Sequence, residues 1–154
     1  LHCRFSKILK SSETLNIFAV IIPLFHTFGR IGCFLGGCCY GIECKWGILI
    51  HNNTLYPEVN DVIRLPIQLI EALCNLCIFF ILYKLFNNKK VKGRLIYIYM
   101  IIYPIVRFIL EFFRGDAVRG FLWALSTSQW ISILLIMIAL SKLFYILHPK
   151  KISS

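Results

Sequence analysis

Apolar residues dominate the chain in four long runs, 15–40, 67–86, 95–113 and 121–147, separated by shorter polar segments. Crossing about 30 Å of hydrocarbon takes roughly 20 residues of helix, so every run is long enough to span a membrane. The predicted fold is all-α: a polytopic bundle of about four transmembrane helices, making residues 1–154 one integral-membrane unit. The first run is expected to stop being regular helix near Gly36-Gly37, because paired glycines followed by Cys38, Cys39, Tyr40 and Gly41 favour a turn or a close backbone approach. The last run carries its own start signal. In Ser126-Thr127-Ser128-Gln129 the serine accepts from a free backbone N–H while the glutamine reaches back, a capping box that starts the helix near Thr127. No secretory signal peptide is read, since the first long apolar run begins too late and has no convincing small-residue cleavage site.

Polar residues inside the runs are patterned. An ionisable group within a transmembrane helix costs about 2.5 to 3.5 kcal/mol on insertion scales, so each one needs a reason. In the first run His26, Arg30 and Cys33 fall at i, i+4 and i+7, one face of a helix. Gln68, Glu71 and Asn75 repeat the device in the second, and Arg107, Glu111 and Arg114 in the third, where a carboxylate stands between two guanidinium groups. A lone arginine near a helix end commonly snorkels to the headgroups, and an Arg and Glu one turn apart commonly form a structural ion pair. Three stripes at similar depth point instead to a shared polar cavity. Two arginines facing it suit a phosphate ester, because a guanidinium fork binds phosphate oxygens bidentately and keeps its charge when partly desolvated. The nearest phosphate is a lipid headgroup.

Composition narrows the class. Of 154 residues 58% are hydrophobic and 16% charged, and the mean hydropathy is +0.75, which excludes an ordinary soluble domain and a solvated disordered chain. The net charge of +10 is a topology signal. Lys and Arg are retained preferentially in short cytoplasmic loops. Arg4, Lys7, Lys10, Lys84, Lys89, Lys90, Lys92, Arg94, Lys142, Lys150 and Lys151 alternate with only Lys45, Arg64, Arg114 and Arg119 in the other connections. Both chain ends are therefore expected in the cytoplasm, with 41–66 and 114–120 outside and the polar cavity facing the outer leaflet. No nucleic-acid partner is expected, since the basic residues flank apolar spans.

Seven cysteines are many for this length, and four cluster as Cys33, Cys38, Cys39 and Cys44, spaced C-x4-C-C-x4-C. Zinc sites usually show closer C-x2-C pairs, so no metal is expected. A disulfide on an oxidising outer face and a nucleophile that carries the transferred group are alternatives. The main expectation is close packing where a glycine-rich segment enters the bundle. Cys74 and Cys77 read as packing or lipid-facing, and Cys3 as cytoplasmic.

The same residues carry a resemblance. Gly29 to Gly41, GRIGCFLGGCCYG, is similar to the GRxxNFxNxExxG signature of the bacterial prolipoprotein diacylglyceryl transferases. Trp46-Gly47 resembles the short motif that follows it, Pro66 to Ala72 (PIQLIEA) resembles HPxQLYEA, Arg107 to Asp116 (RFILEFFRGD) resembles RxxxEFxR, and Ser126 to Trp130 (STSQW) also fits. The resemblance implies transfer of the diacylglyceryl group of phosphatidylglycerol to the lipobox cysteine thiol of a prolipoprotein, releasing glycerol phosphate, in the bacterial plasma membrane and without a cofactor. Its partners would be that lipid and the precursor's signal-peptide region. Carried over by position, Arg30 and Arg107 would hold the phosphate and stabilise charge on the leaving group, with Glu111 fixing Arg107 and Arg114 assisting. Gln68 and Glu71 would build the cavity wall, and Gly41 would let the loop approach the lipid. Cys33, Cys38 and Tyr40 occupy signature positions on the substrate side. His26, one turn before Arg30, is the expected general base, with a structural role beside it.

The departures are specific. Cys33, Gly36 and Cys38 replace the signature Asn, Asn and Glu, while Leu65 and Ile70 replace the His and Tyr of HPxQLYEA. The family's N-terminal part, with a histidine in a glycine-rich loop, has no counterpart in residues 1–15, so a missing N-terminal part is expected. The alternative is a non-catalytic or altered-specificity lipid-binding protein of the same fold. A transporter is disfavoured because no internal repeat is visible.

Overall fold

The computed structural model describes residues 12–88, 91, 94–116 and 120–148. In chain order these are helix α1 (Ser12–Gly36), strand β1 (Glu43–Leu49), a 3-10 turn (Pro57–Val59), β2 (Ile63–Arg64), α2 (Ile67–Phe86), α3 (Leu95–Leu110) with a further 3-10 turn (Glu111–Phe113), β3 (Phe121–Leu122), β4 (Leu125–Ser126) and α4 (Thr127–Leu147). The segments Thr14–Gly36, Ile67–Phe86, Leu95–Phe113 and Thr127–Leu147 are long and apolar enough to cross a membrane, so this is a multi-pass membrane protein. Helix α1 packs on α2 and α3 on α4, while α3 also touches α1 and α2. Cys3, Arg4, Lys7, Lys10, Lys89, Lys90, Lys92, Arg119, Lys150 and Lys151 lie outside the described residues.

The bundle reverses the polarity of a soluble domain. Phe25, Phe28, Leu35, Leu73, Phe80, Leu134 and Phe144 are exposed along the helices, whereas Asn16, Thr27, Gln68, Glu71, Asn75, Gln129 and Ser132 are buried. Lipid solvates the first set, and the second must find partners inside because hydrocarbon offers none. Ala19, Val20, Ile78, Leu82, Leu95 and Tyr99 form an apolar cluster from three helices. Close approach of α1 and α2 rests on small groups: the Thr27 hydroxyl lies 3.0 Å from the Pro23 carbonyl and 3.3 Å from the Ala72 carbonyl across the interface.

Two helix ends are fixed by local chemistry. At the end of α1, Gly37 adopts φ +79, its N–H donates to the Phe34 carbonyl (3.1 Å), and the Cys38 N–H donates to the Cys33 carbonyl (3.1 Å). This is a Schellman ending, which a glycine in the left-handed region permits. Residues 37–40 therefore leave the helix although they continue the apolar run. At the start of α4, the Ser126 hydroxyl accepts from the Gln129 N–H (3.3 Å) and the Gln129 side chain accepts from the Ser126 N–H (2.9 Å). Ser126 is extended at φ −72, ψ 158, so the apolar stretch before it forms the β3-β4 hairpin, turning at Trp123 (φ 61), instead of more helix.

The segments that follow α1 and α3 meet on one side of the bundle. Ile42 N–H donates to the Phe113 carbonyl (3.0 Å), Gly115 N–H to Tyr40 (2.9 Å), and Leu65 N–H to Ile42 (2.9 Å), which places 40–42 between the other two strands of chain. A Cβ on Gly41 would overlap the Leu65 carbonyl oxygen, and one on Gly115 the Gly41 carbonyl oxygen. Asn53 locks the 50–61 loop to the end of α1: its Nδ2 donates to the Gly36 carbonyl (3.2 Å) while its Oδ1 accepts from the Leu55 and Tyr56 N–H groups (2.9 and 2.8 Å).

Replacing the capping serine, Ser126→Ala, should lower stability by about 1 kcal/mol, read by unfolding in mixed micelles. An unchanged midpoint would mean that the capping box does not define the start of α4.

Candidate active site

The three polar stripes converge, and Glu71 is where they meet. Its Oε1 lies 3.0 Å from Arg30 Nε, and its Oε2 lies 3.9 Å from Arg107 Nη1. Arg107 Nη2 pairs in turn with Glu111 Oε2 at 2.9 Å, one turn along the same helix. Both carboxylate side chains are 3% exposed, and those of Arg30 and Arg107 are 21% and 11% exposed. Two positive and two negative groups from α1, α2 and the end of α3 thus form one network, formally neutral. In a low-dielectric bundle that balance decides whether the charges are tolerated at all.

Each remaining site residue has a definite place. Asn75 Nδ2 donates to the Glu71 carbonyl (2.8 Å), and Gln68 Nε2 donates to the Cys38 carbonyl (2.7 Å), tying α2 to the turn after α1. Glu71, expected in the cavity wall, bridges two arginines, and Gln68 pins the turn after α1. His26 lies below the network: its Nδ1 is 3.3 Å from the Tyr99 hydroxyl and its ring packs at 4.9 Å on Tyr103. Tyr103 also interacts electrostatically with Arg30. Tyr40 supports the Arg64 guanidinium, 4.6 Å above its ring. Gly41 approaches the backbone of Leu65, so its missing Cβ serves a chain-to-chain contact.

Arg114 stands at the edge of the network, held bidentately by Asp116 (Nε to Oδ1 3.0 Å, Nη2 to Oδ2 2.6 Å). Burial works against its charge, but the hydrogen bonds and charge of Asp116 outweigh that and hold its pKa above the ordinary arginine value. Arg107, Glu111 and Arg114 line a cleft of about 350 Å³ together with Ser126, Thr127 and Ser128. It is lined by the first turn of α4, where the Thr127 N–H donates to the Gly120 carbonyl (3.0 Å) and the Gln129 N–H to the Ser126 hydroxyl, and where the helix dipole favours an anion. Arg107 Nη1 is buried with no hydrogen-bond partner among the described residues, and lies 3.9 Å from Glu71 Oε2. The capping residues were legible in the sequence as a helix start, but their second use in lining the cleft was not. Arg30 joins the cleft only through Glu71.

Cys33, Cys38 and Cys39 come together: their sulfur atoms all lie within 4.8 Å of one another. Burial, reinforced by the neighbouring Cys33 and Cys39, pushes the Cys38 thiol up to about 12. Cys38 is therefore a protonated thiol at neutral pH and not a pre-ionised nucleophile. Cys44, in β1, stands outside the group.

The structure defines a class, the polytopic membrane proteins, here with a buried arginine-carboxylate network beside a polar cleft. Comparison with known sequences makes the assignment specific. The sequence model of the prolipoprotein diacylglyceryl transferases matches residues 1–145, and the chain belongs to that family. A phosphatidylglycerol–prolipoprotein diacylglyceryl transferase of Clostridium tetani is 36% identical over 136 residues, covering 85% of this chain and 53% of that protein. One of Clostridium perfringens, numbered 2, is 39% identical over 129 residues (80% and 49%), and one of Campylobacter lari 37% over 142 residues (89% and 49%). The chain thus spans about half the length of the curated relatives it matches. No solved structure matches it.

Because Glu71 compensates two cations, Glu71→Ala should cost about 3–5 kcal/mol, the range for stripping one partner from a buried ion pair. Adding Arg30→Ala should then cost clearly less than the sum of the single changes. Simple additivity in micelle unfolding would show that the two residues are not coupled.

Proposed function

We propose that this chain takes part in moving the diacylglyceryl group of phosphatidylglycerol to the lipobox cysteine thiol of a prolipoprotein, with release of glycerol phosphate. The observation that carries the reading is the buried, unsatisfied Nη1 of Arg107 beside a cleft furnished with Arg114, two serines, a threonine and a helix N-terminus. That donor set suits a phosphate diester, and it strengthens as negative charge grows on the departing phosphate. The names of the relatives supply the lipid and the acceptor.

In this reading Arg107 donates to the phosphate, and Arg114 adds charge from the cleft edge. Glu71 and Glu111 hold Arg107 from two sides, so its fork is already oriented when lipid arrives. Arg30 shares Glu71 and thereby sets how tightly that carboxylate grips Arg107. His26 is the group for proton transfer; with Nδ1 engaged by Tyr99, Nε2 is its remaining nitrogen. Gln68, Cys33, Cys38, Tyr40 and Gly41 shape the adjoining turn on the acceptor side. The excess of Lys and Arg at the chain ends and in the 87–94 connection supports cytoplasmic termini, which puts the cleft and the 37–66 segment at the outer leaflet of a bacterial plasma membrane.

Membranes containing the protein, given labelled phosphatidylglycerol and a lipobox peptide, should yield lipidated peptide and glycerol phosphate. Arg107→Ala should reduce the rate at least about 100-fold, the scale for losing one oxyanion donor; Lys142→Ala, on the exposed face of α4, should leave it unchanged. Headgroup binding without any lipidated peptide would favour the lipid-binding alternative.

A further inference from the structure

We propose that Cys33, Cys38 and Cys39 form a three-thiolate site for a zinc ion, whose open fourth position takes the thiol that accepts the lipid. The first half stands on the geometry alone; the second rests on the transfer reading above.

The end of α1 builds the cluster. In a Schellman ending the third-last helical residue and the second residue past the cap lie side by side, and these are Cys33 and Cys38, joined through the Cys38 N–H and the Cys33 carbonyl. Cys39 follows in the left-handed region at φ 57, and its sulfur joins the pair. All three sulfurs fall within 4.8 Å of one another. Tetrahedral zinc with bonds of about 2.3 Å holds its sulfur ligands roughly 3.8 Å apart, a contraction that small side-chain rotations supply.

The surroundings suit the ion. Three thiolates and Zn²⁺ carry one net negative charge, and Cys39 lies close enough to Arg30 and Arg114 to interact with both guanidinium groups. The turn is braced by Gln68 on the Cys38 carbonyl and Asn53 on the Gly36 carbonyl, so the ligands sit on fixed backbone. Among the described residues no further His, Cys, Asp or Glu joins the group. Three protein ligands with a vacant fourth position is the pattern of a working zinc ion, whereas a purely structural one has four.

A thiol entering that position would be deprotonated as the metal takes it up, with its proton passing through water to His26. Its sulfur then attacks the glyceryl carbon that bears the phosphate. The S–C bond forms, the C–O bond breaks, and the electron pair leaves on the phosphate oxygen of glycerol phosphate, beside Arg107. Thiol and phosphodiester become thioether, phosphate monoester and one proton, and no oxidant or reductant is consumed.

Cobalt is the probe. The full chain in lipid nanodiscs, reduced and metal-free, should bind one Co²⁺ with thiolate charge-transfer bands and intense tetrahedral visible bands, and Zn²⁺ should displace it. Cys33→Ser and Cys38→Ser should abolish those bands, while Cys44→Ser and Cys74→Ser keep them. Cys33→His should retain one ion with a weaker charge-transfer band, which separates ligand loss from misfolding. Absence of stoichiometric binding, or a Cys38→Ser spectrum like the parent's, overturns the site. A cysteine lipobox peptide should then intensify the charge-transfer band and its serine counterpart should not; an unchanged spectrum overturns the open position. These spectra need no lipid donor, so a chain that binds cobalt and peptide but transfers nothing contradicts only the transfer reading.

Discussion

The carboxylate of Glu71 lies between the guanidinium groups of Arg30 and Arg107 inside a bundle whose outer surface is apolar. Neither arginine could be held at that depth alone, because hydrocarbon offers no counter-charge and little water. Sharing one acid between two helices fixes α1, α2 and α3 in mutual register, and Glu111 closes the network from the end of α3. The arrangement leaves one guanidinium nitrogen of Arg107 short of a partner. The interaction that makes the fold tolerable in lipid thus also leaves binding capacity for an anion.

Around this network the protein is layered. The apolar cluster of Ala19, Ile78, Leu82, Leu95 and Tyr99 holds three helices together by packing. Next come Asn75, whose Nδ2 donates to the Glu71 carbonyl, and His26, which contacts the Tyr99 hydroxyl and the Tyr103 ring. Beyond the charges lies the interleaved backbone of 40–42, 64–65 and 113–115, where missing side chains at Gly41 and Gly115 allow direct contact.

Much of this was legible along the chain. Apolar runs of sufficient length gave the four spans, and periodicities of three and four placed Arg30, Glu71, Arg107 and Glu111 on inward faces. Two boundaries, Gly36-Gly37 and Ser126, were readable because their signals are local. The spans themselves were overdrawn at 37–40 and 121–126, since hydropathy registers apolar residues without regard to backbone geometry. Which acid pairs with which arginine could not be read: within α3 the Arg107-Glu111 pair is local, but the Glu71 bridge spans three helices and depends on their relative rotation.

The cysteines divide the two levels most clearly. Ligand spacing in sequence favoured packing over a metal group, because C-x4-C-C-x4-C lacks the closer C-x2-C pairs usual at zinc sites. The tertiary turn overrides that rule: a left-handed glycine reverses the chain, sets Cys33 against Cys38, and a second left-handed residue adds Cys39. The sequence by itself determined the membrane class, the number of spans and the residues whose polarity demanded an explanation, since these follow from composition and local period. Only the tertiary structure decided that Glu71 is shared, that the α4 cap lines a cleft and that three thiols meet, because each depends on atoms distant along the chain or on a backbone reversal that no side-chain period encodes.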